Sequence, residues 1–197
     1  MFYWIAYFLL WLFSKVFFPI STSGSKHVPS SGNVIIASNH VSYLDPIILG
    51  LAYRRRISYL AKDTLFKNKI FGFILNKVEA FPIKRERGDI GALRAALKRL
   101  KNRSSLVVFP EGTRKGTSGQ KEAQQGVGFL ASKSGVPVVP AYVTGSGKVL
   151  PVGAKWFTRH PVQVIFGEPL QFANDKNYEQ ISRRIMQSIE SLSSSAK

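Results

Sequence analysis

Short runs of branched apolar residues alternate along this chain with longer segments that have helical periodicity. The runs at residues 34–37, 57–61, 106–109 and 162–166 have the length and composition of buried strands. Strands that alternate with helices are typical of a mostly parallel sheet. Since no repeat and no second boundary interrupts the pattern, the sequence predicts one α/β domain over residues 21–197. In it, helices flank a mixed, mostly parallel sheet.

Four segments have helical periodicity, at residues 46–52, 89–103, 122–134 and 178–192. Asp89 is expected to cap the second of these helices, and Gly135 to end the third. Residues 136–143 predict a further strand, in which Pro137 and Pro140 argue against a central position with full hydrogen bonding. The Ser-, Gly- and Pro-rich residues 21–32 are expected to form a connector.

Residues 65–78 are mostly apolar, with lysines at both ends. They predict a helix that is too short to span a bilayer. Such a helix belongs either to the core, which the composition favours, or to the apolar wall of a groove for a long-chain substrate.

Residues 1–20 form a hydrophobic segment that is expected to anchor the chain to a membrane. Half of residues 1–18 are aromatic, and Lys15 is the first charged side chain. Aromatic rings favour the headgroup boundary, so the segment predicts a membrane-interface helix that the mature protein retains. A signal peptide is disfavoured because the segment opens without positive charge and has a poor cleavage site. A buried core helix is the other alternative, and a bilayer crossing is left open.

The composition excludes several kinds of chemistry. Lys and Arg number 28 against 11 Asp and Glu, giving a net charge of +17, which favours anionic partners. The chain has no cysteine, which excludes disulfides, thiolate metal sites and a cysteine nucleophile. The three histidines, His27, His40 and His160, match no zinc spacing, and no metal site is predicted.

The first candidate catalytic pair is His40 with Asp45. The apolar run 34–37 ends abruptly in Ser, Asn and then His40, as a buried strand does when it brings polar side chains to a sheet edge. Histidine exchanges protons near neutral pH, and a carboxylate can hold its ring in one tautomer. The two can meet if His40 lies in a turn and a helix starts near Asp45, which Pro46 favours. The alternative is a helix cap beside a polar turn residue.

A second candidate region follows the strand predicted at residues 106–109, which runs into Pro-Glu-Gly-Thr-Arg-Lys-Gly. Open α/β sheets place binding sites where strands end in such turns. Gly112 lets backbone N–H groups approach an anion, and Arg114 offers a planar fork for phosphate. Lys84 and Arg85 end another strand-like run and are placed to point into a site. The alternative is a basic surface loop.

The sequence Gly-Ser-Gly-Lys at residues 145–148 is similar to part of a P-loop. It lacks both the earlier glycine and the Ser or Thr after the lysine. No nucleotide site is therefore predicted there.

Four blocks of sequence together resemble the glycerolipid acyltransferase family. Asn-His-x4-Asp-Pro at residues 39–46 and Phe-Pro-Glu-Gly-Thr-Arg at 109–114 match its first and third blocks without a mismatch. Residues 81–85 resemble the second block and 136–140 the fourth, in the family's order. The chain is most similar to bacterial 1-acyl-glycerol-3-phosphate acyltransferases. A lone His-x4-Asp is a weak signal, whereas the ordered set is a specific one.

The resemblance implies direct acylation of a glycerol hydroxyl by an acyl thioester, without an enzyme nucleophile, cofactor or metal. It makes His40 the general base and Asp45 the residue that orients it. It assigns the glycerol phosphate to Lys84, Arg85, Glu111, Gly112, Thr113, Arg114 and Lys115. Many members carry a lysine where this chain has Gln125, and Lys115 is expected to compensate for it.

The expected product is phosphatidic acid, formed by acylation of the sn-2 hydroxyl of 1-acyl-glycerol-3-phosphate in phospholipid biosynthesis. The expected partners are the membrane bilayer at its cytoplasmic face and, as co-substrate, acyl-acyl carrier protein or acyl-coenzyme A. Another lysophospholipid acceptor is the main alternative. A nucleic-acid-binding module is disfavoured, because it leaves both the aromatic N-terminus and the ordered polar blocks unexplained. A non-catalytic lipid binder at the membrane surface is also disfavoured, and it predicts that His40→Ala leaves function intact.

Overall fold

Helices and strands alternate over most of the chain. The computed structural model describes residues 1–84, 89–112, 125–151, 154 and 156–196. Its helices are α1 (Phe2–Phe17), α2 (Asp45–Tyr53), α3 (Lys69–Lys77), α4 (Ile90–Lys101), α5 (Gln125–Ser134), α6 (Ser146–Val149) and α7 (Tyr178–Ser191). Its strands are β1 (Ile20–Ser23), β2 (Ile35–Ser38), β3 (Ile57–Lys62), β4 (Ala80–Ile83), β5 (Ser105–Val108), β6 (Val138–Thr144) and β7 (Val162–Phe166). Short 3₁₀ turns cover Ser25–His27, Asp63–Phe66 and Leu192–Ser195.

The strands form one mixed sheet in the order β1-β7-β6-β2-β5-β3-β4. Strands β2 to β6 run parallel to one another, β7 is antiparallel to β6, and β1 is parallel to β7. The predicted α/β fold with a mixed, mostly parallel sheet flanked by helices is therefore confirmed.

The chain crosses the sheet first in one direction and then in the other. The units β2-α2-β3 and β3-α3-β4 move toward one edge, whereas β4-α4-β5 and β5-α5-β6 move back past β2. Because such crossovers are right-handed, α2 and α3 cover one face of the sheet (face A), and α4 and α5 cover the other (face B). The residues after β2 lie at the carboxyl ends of the strands, where open α/β sheets bind ligands.

Both faces of β2 are buried, which explains its continuous apolar run. Ile36 belongs to the face A core together with Ile48 of α2. Its neighbour Ile35 points the opposite way and belongs to the face B core with Leu130 of α5 and Ile185 of α7. The strand that leads to His40 is thus fixed from both sides.

Two strands differ from the prediction. β1 begins at the last residue of the expected anchor and continues into the expected connector, and it pairs with β7 at the sheet edge. Three of its four residues are Ser or Thr, so the apolar pattern of a strand is absent. β6 is central, paired with both β2 and β7, and the expectation from its prolines is wrong. Pro137 precedes the strand. Pro140 pairs with Ala37 in the β2 ladder, but its carbonyl faces the other way and accepts the Gly167 N–H at 2.8 Å, just beyond the end of the β7 ladder. Its missing N–H faces that end as well, so it interrupts neither ladder.

Helix α1 packs on face A through only part of its surface. Tyr3 and Ser14 are buried, and the Tyr7 hydroxyl donates to the Leu51 carbonyl at 3.1 Å. Most of its large apolar side chains are exposed, so the alternative of a buried core helix is wrong. Within the described ranges, no helix has the length and hydropathy needed to cross a membrane.

Helix α3 is also mainly exposed. Only Gly72 of this helix is buried, and the apolar side chains on either side of it face outward. The favoured expectation that residues 65–78 belong to the core is therefore wrong. Composition showed that the segment is apolar but carried no information on what it would contact.

Candidate active site

Asn39, directly after β2, continues the pairing of β2 with β6 through its side chain. The Asn39 amide donates to the Val143 carbonyl of β6 at 2.9 Å, and the Val143 N–H donates back to its oxygen at 2.7 Å. This reciprocal pair imitates a strand pairing and fixes the turn in which the next residue, His40, lies. Sequence reasoning missed this role because the two residues are 104 positions apart.

His40 and Asp45 are in direct contact. The Nδ1 atom of His40 lies 2.8 Å from Oδ2 of Asp45. His40 is in the turn after β2 and Asp45 is the first residue of α2, followed by Pro46, which is the local geometry that the sequence predicts. The exposed fractions of the two residues are 5% and 0%, so the pair is held away from solvent.

Further hydrogen bonds compensate the buried carboxylate of Asp45. Its Oδ2 also accepts the N–H groups of Val41 and Ser42, each at 2.7 Å. Its Oδ1 accepts the hydroxyl of Ser146 at 2.6 Å. A buried charge is tolerated when it is hydrogen-bonded on all sides. Because Oδ2 accepts from these donors, the Nδ1 atom of His40 is the one that carries the ring proton.

Ser146 comes from the Gly-Ser-Gly-Lys sequence, in which no role was predicted. It is the first residue of α6 and is fully buried. Gly145 before it has φ +86°, and a Cβ there would lie 2.3 Å from the Pro161 carbonyl oxygen, so glycine is required for this turn. The sequence carried no signal for the contact, since Ser146 and Asp45 are 101 residues apart.

Phe109 covers one face of the histidine ring. It follows β5, the strand next to β2, and its ring stacks on His40 with centroids 4.0 Å apart and planes 18° apart. The stacking limits rotation of the imidazole, so the ring is held by Asp45 at its edge and by Phe109 on its face. Phe109 opens the Phe-Pro-Glu-Gly-Thr-Arg sequence, which links the two predicted blocks in space.

A cavity of about 810 Å³ opens beside His40 on face B. Its lining is mainly apolar and comes from the ends of β3, β4 and β5 and from α4 and α5. Lys84, Asp89 and Arg94 supply charge. The main apolar residues are Leu60, Ile83, Ile90, Leu93, Val108, Phe109, Val127, Phe129 and Leu130. Residues 69–77 of α3 are not among those that line it.

Asp89 joins the end of β4 to the start of α4. Its two carboxylate oxygens accept the N–H groups of Lys84 and Ala92, at 2.8 Å and 2.9 Å. These hydrogen bonds hold the pKa of Asp89 below its usual value, and the bond from the Lys84 N–H has the largest effect. The predicted cap is confirmed, and it places Lys84 at the rim of the cavity.

Only part of the predicted phosphate site can be located. Lys84 and Gly112 both line the cavity. Gly112 has φ +68°, and its N–H donates to the Phe109 carbonyl at 2.9 Å, which closes the turn that contains Glu111. The other four predicted residues, Arg85, Thr113, Arg114 and Lys115, lie outside the described residues. Within the described ranges, no cluster of three or more His, Asp or Glu side chains could hold a metal ion.

Comparison with known proteins gives the family. Residues 19–144 match the family model described as Acyltransferase. The chain belongs to the acyltransferase family. Both predicted members of the catalytic pair and the stacked Phe109 lie within the matched residues.

Relatives in this family are about 30% identical to this chain over most of its length. The chain is 31% identical over 156 residues to a 1-acyl-sn-glycerol-3-phosphate acyltransferase of Bacillus subtilis, covering 79% of this chain and 75% of that protein. It is 32% identical over 158 residues to a chloroplastic 1-acyl-sn-glycerol-3-phosphate acyltransferase of Arabidopsis thaliana, covering 78% of this chain. The chain spans 44% of the length of that plant protein.

A solved structure has the same fold. It is the crystal structure of the 1-acyl-sn-glycerophosphate acyltransferase from Thermotoga maritima, with a TM-score of 0.78 and 23% sequence identity. The superposition covers 97% of this chain and 80% of that one.

Proposed function

We propose that this protein transfers a fatty acyl group from an acyl thioester to the sn-2 hydroxyl of 1-acyl-glycerol-3-phosphate, giving phosphatidic acid. The observation that carries the proposal is the buried His40–Asp45 pair beside an apolar cavity, in a member of the acyltransferase family. The names of the bacterial and plant relatives supply the acceptor.

His40 acts as the general base of the proposed reaction. Since its Nδ1 is bonded to Asp45, Nε2 is the atom that takes the proton from the acceptor hydroxyl. The hydroxyl oxygen attacks the thioester carbonyl, the C–O ester bond forms, and the C–S bond breaks. The proton then passes from Nε2 to the leaving thiolate, so the products are phosphatidic acid and a free thiol. Asp45 stabilises the imidazolium between the two proton transfers.

The glycerol phosphate is assigned to the basic side of the cavity. Lys84 and Gly112 line it, and the same loops continue into Arg85 and into Thr113, Arg114 and Lys115. A guanidinium binds phosphate in a two-point geometry, which fixes the hydroxyl next to the base. Glu111 stays in the proposal as a ligand of the glycerol. The acyl chain would occupy the apolar part of the cavity, and not the surface of residues 65–78 that the sequence suggested.

The proposed reaction takes place at a membrane surface. The acceptor and the product are both lipids, and the exposed aromatic side chains of α1 suit the headgroup boundary of a bilayer. Residues 1–20 would serve as the anchor and 21–197 as the catalytic domain. The net charge of +17 would attract anionic lipid and an acidic acyl carrier protein or coenzyme A on the cytoplasmic side.

The test is acyl transfer onto 1-acyl-glycerol-3-phosphate in detergent micelles, with acyl carrier protein and coenzyme A thioesters in parallel. The His40→Ala variant should lose about 10²-fold or more of the wild-type rate, because it removes the general base of the proposed reaction. A variant that keeps the wild-type rate would contradict the assignment of His40. A panel of lysophospholipids then tests the acceptor, and turnover of another lysolipid in preference would replace 1-acyl-glycerol-3-phosphate.

A further inference from the structure

Helix α3 and the turn before it carry a second exposed apolar surface, separate from α1. Five large side chains of this segment are exposed, and Ile70 reaches 76%. Isolated exposed apolar residues are ordinary, but five within ten positions of one short segment are a concentration of the kind that marks an interaction site. We call this patch the α3 surface, formed by Leu65, Ile70, Phe71, Phe73 and Ile74.

The α3 surface faces away from the side through which α3 packs. The helix packs on the 3₁₀ turn before it through the opposite side, where a Cβ on Gly72 would lie 3.1 Å from the Phe66 carbonyl oxygen. Asn68 caps the helix by accepting the Phe71 N–H at 3.0 Å. The capped start of the helix and its close approach at Gly72 therefore leave most of its large apolar side chains exposed.

Lysines surround the α3 surface. Lys67, Lys69 and Lys77 are exposed at its two ends, and the Nζ atom of Lys77 lies 5.2 Å from the centroid of the Phe73 ring. The nearby carboxylate of Glu79 is paired with Arg56 at 2.5 Å. An apolar patch with a cationic border matches the outer layer of a bilayer that contains anionic lipid.

The α3 surface lies on the same side of the molecule as α1. The crossover rule places α3 on face A, and α1 packs against α2 on that face. Arg56 connects them: its guanidinium lies 5.5 Å from the centroid of the Tyr3 ring at the start of α1, and it pairs with Glu79 directly after α3. The two apolar surfaces can therefore meet one membrane together.

We propose that the α3 surface is a second membrane contact, which enters the headgroup layer of an anionic bilayer beside α1. The inference rests on the proposed membrane-surface enzyme and deepens it. A single helix in the interface leaves the domain free to rotate about the helix axis. A second contact removes that rotation and gives the cavity one orientation relative to the lipid surface.

The first experiment uses the absence of cysteine from this chain. A single cysteine from Ile70→Cys carries an environment-sensitive fluorophore in the full-length protein, and Lys101→Cys on face B is the matched control. On vesicles of phosphatidylcholine with phosphatidylglycerol, the label at position 70 should shift to the blue and be quenched by brominated lipid. The label at position 101 should do neither. An unchanged label at position 70 on vesicle-bound protein would overturn the proposal.

The second experiment removes the apolar contact. Ile70→Ser with Phe73→Ser should weaken vesicle binding about tenfold or more, since two exposed apolar side chains lose their burial in lipid. Acyl transfer by this variant in micelles should equal that of the wild type. The two proposals can therefore fail separately. If the wild type forms no product in micelles, the proposed reaction is wrong; if the variant binds vesicles as tightly as the wild type, the proposed membrane contact of the α3 surface is wrong.

Charge and self-association are tested with the same protein. Lys69→Gln with Lys77→Gln should weaken binding to the anionic vesicles, whereas Lys98→Gln with Lys101→Gln on face B should weaken it less. Equal effects of the two pairs would show that only net charge matters, and would overturn the proposal that the lysines around the α3 surface contact the anionic lipid.

The labelled Ile70→Cys protein also tests self-association. A blue shift at position 70 that rises with protein concentration in the absence of vesicles would identify a second copy of the chain as the occupant of the α3 surface.

Discussion

Two regions of this protein reverse the usual rule of burial, and they do so in opposite ways. At the end of β2, the ionisable side chains of His40 and Asp45 are buried. On face A, most of the large apolar side chains of α1 and α3 are exposed. The first reversal is compensated inside the chain, because Asp45 accepts bonds from His40, two backbone N–H groups and Ser146. The second is compensated, in our proposal, by a bilayer.

This difference separates the catalytic part of the proposed function, which depends on contacts inside the chain, from membrane binding, which depends on lipid. A site that is complete within the chain should act the same in micelles and on membranes, and it should fail when a single internal contact is removed. A surface completed by lipid should matter only where a bilayer is present. Variants that break one region and leave the other intact therefore test the comparison directly.

The largest effect is expected from Asp45→Asn. The amide keeps the shape of the side chain but cannot accept from His40, Val41, Ser42 and Ser146 as the carboxylate does, and it gives no charge to stabilise the imidazolium. Acyl transfer should fall about 10²-fold or more, both in micelles and on vesicles. The measurement is initial rate together with circular dichroism, which should show a folded protein. A folded variant with more than half of the wild-type rate would contradict the role of Asp45.

The opposite region is tested with Trp4→Ser and Phe8→Ser in α1, whose side chains are exposed. Binding to mixed phosphatidylcholine and phosphatidylglycerol vesicles should weaken about tenfold or more, while the rate in micelles stays near that of the wild type. Vesicle binding is measured by co-sedimentation. A loss in micelles as large as that on vesicles would show that α1 supports the fold of the site, and the comparison of the two regions would fail.

Sequence predicted these two regions unequally. The strand before His40 was predictable because both its faces are buried and its apolar run is continuous. The contact with Asp45 was predictable because only five residues separate the pair and Pro46 marks the start of α2. Asn39 and Ser146 were assigned no contacts, since their partners lie 104 and 101 residues away and only the sheet order brings them together.

Apolar character alone was a poor guide on face A. Residues 65–78 have a composition that suits a core, but sequence does not tell whether an apolar side chain will face protein or lipid. The edge strand β1 was missed for the converse reason, because its Ser and Thr residues are acceptable at an edge and give no apolar signal. The phosphate residues Arg85, Thr113, Arg114 and Lys115 lie outside the described residues, and their assignment remains a proposal.

A smaller effect is expected from Ser146→Ala. The variant removes one of the donors to a fully buried carboxylate, and a hydrogen bond to a charged group contributes about 1.5–3 kcal/mol. We expect kcat to fall about tenfold with KM nearly unchanged, because Ser146 positions Asp45 and does not touch substrate. Ser132→Ala is the matched control: its buried hydroxyl donates to the Asp175 carbonyl at 2.5 Å, and Ser132 does not line the cavity. Equal loss of kcat in both variants would reduce the effect to general destabilisation.

The smallest effect concerns the tyrosines where α1 meets the domain. Burial raises the pKa of Tyr59 well above 10, with Tyr3 beside it adding to the shift, and burial also raises the pKa of Tyr3. The unfolded chain loses these protons near pH 10, while the folded protein still holds them. Their contribution to stability is therefore complete below about pH 10 and is lost as the pH rises toward the folded pKa.

The free energy of unfolding should thus fall above about pH 10, by at most about 1.4 kcal/mol per pH unit for each tyrosine. Urea unfolding on both sides of that pH measures it, with Tyr59→Phe as the control that lacks the titrating hydroxyl. The wild type should lose stability more steeply than the control. Parallel curves would show that folding does not raise the pKa of Tyr59.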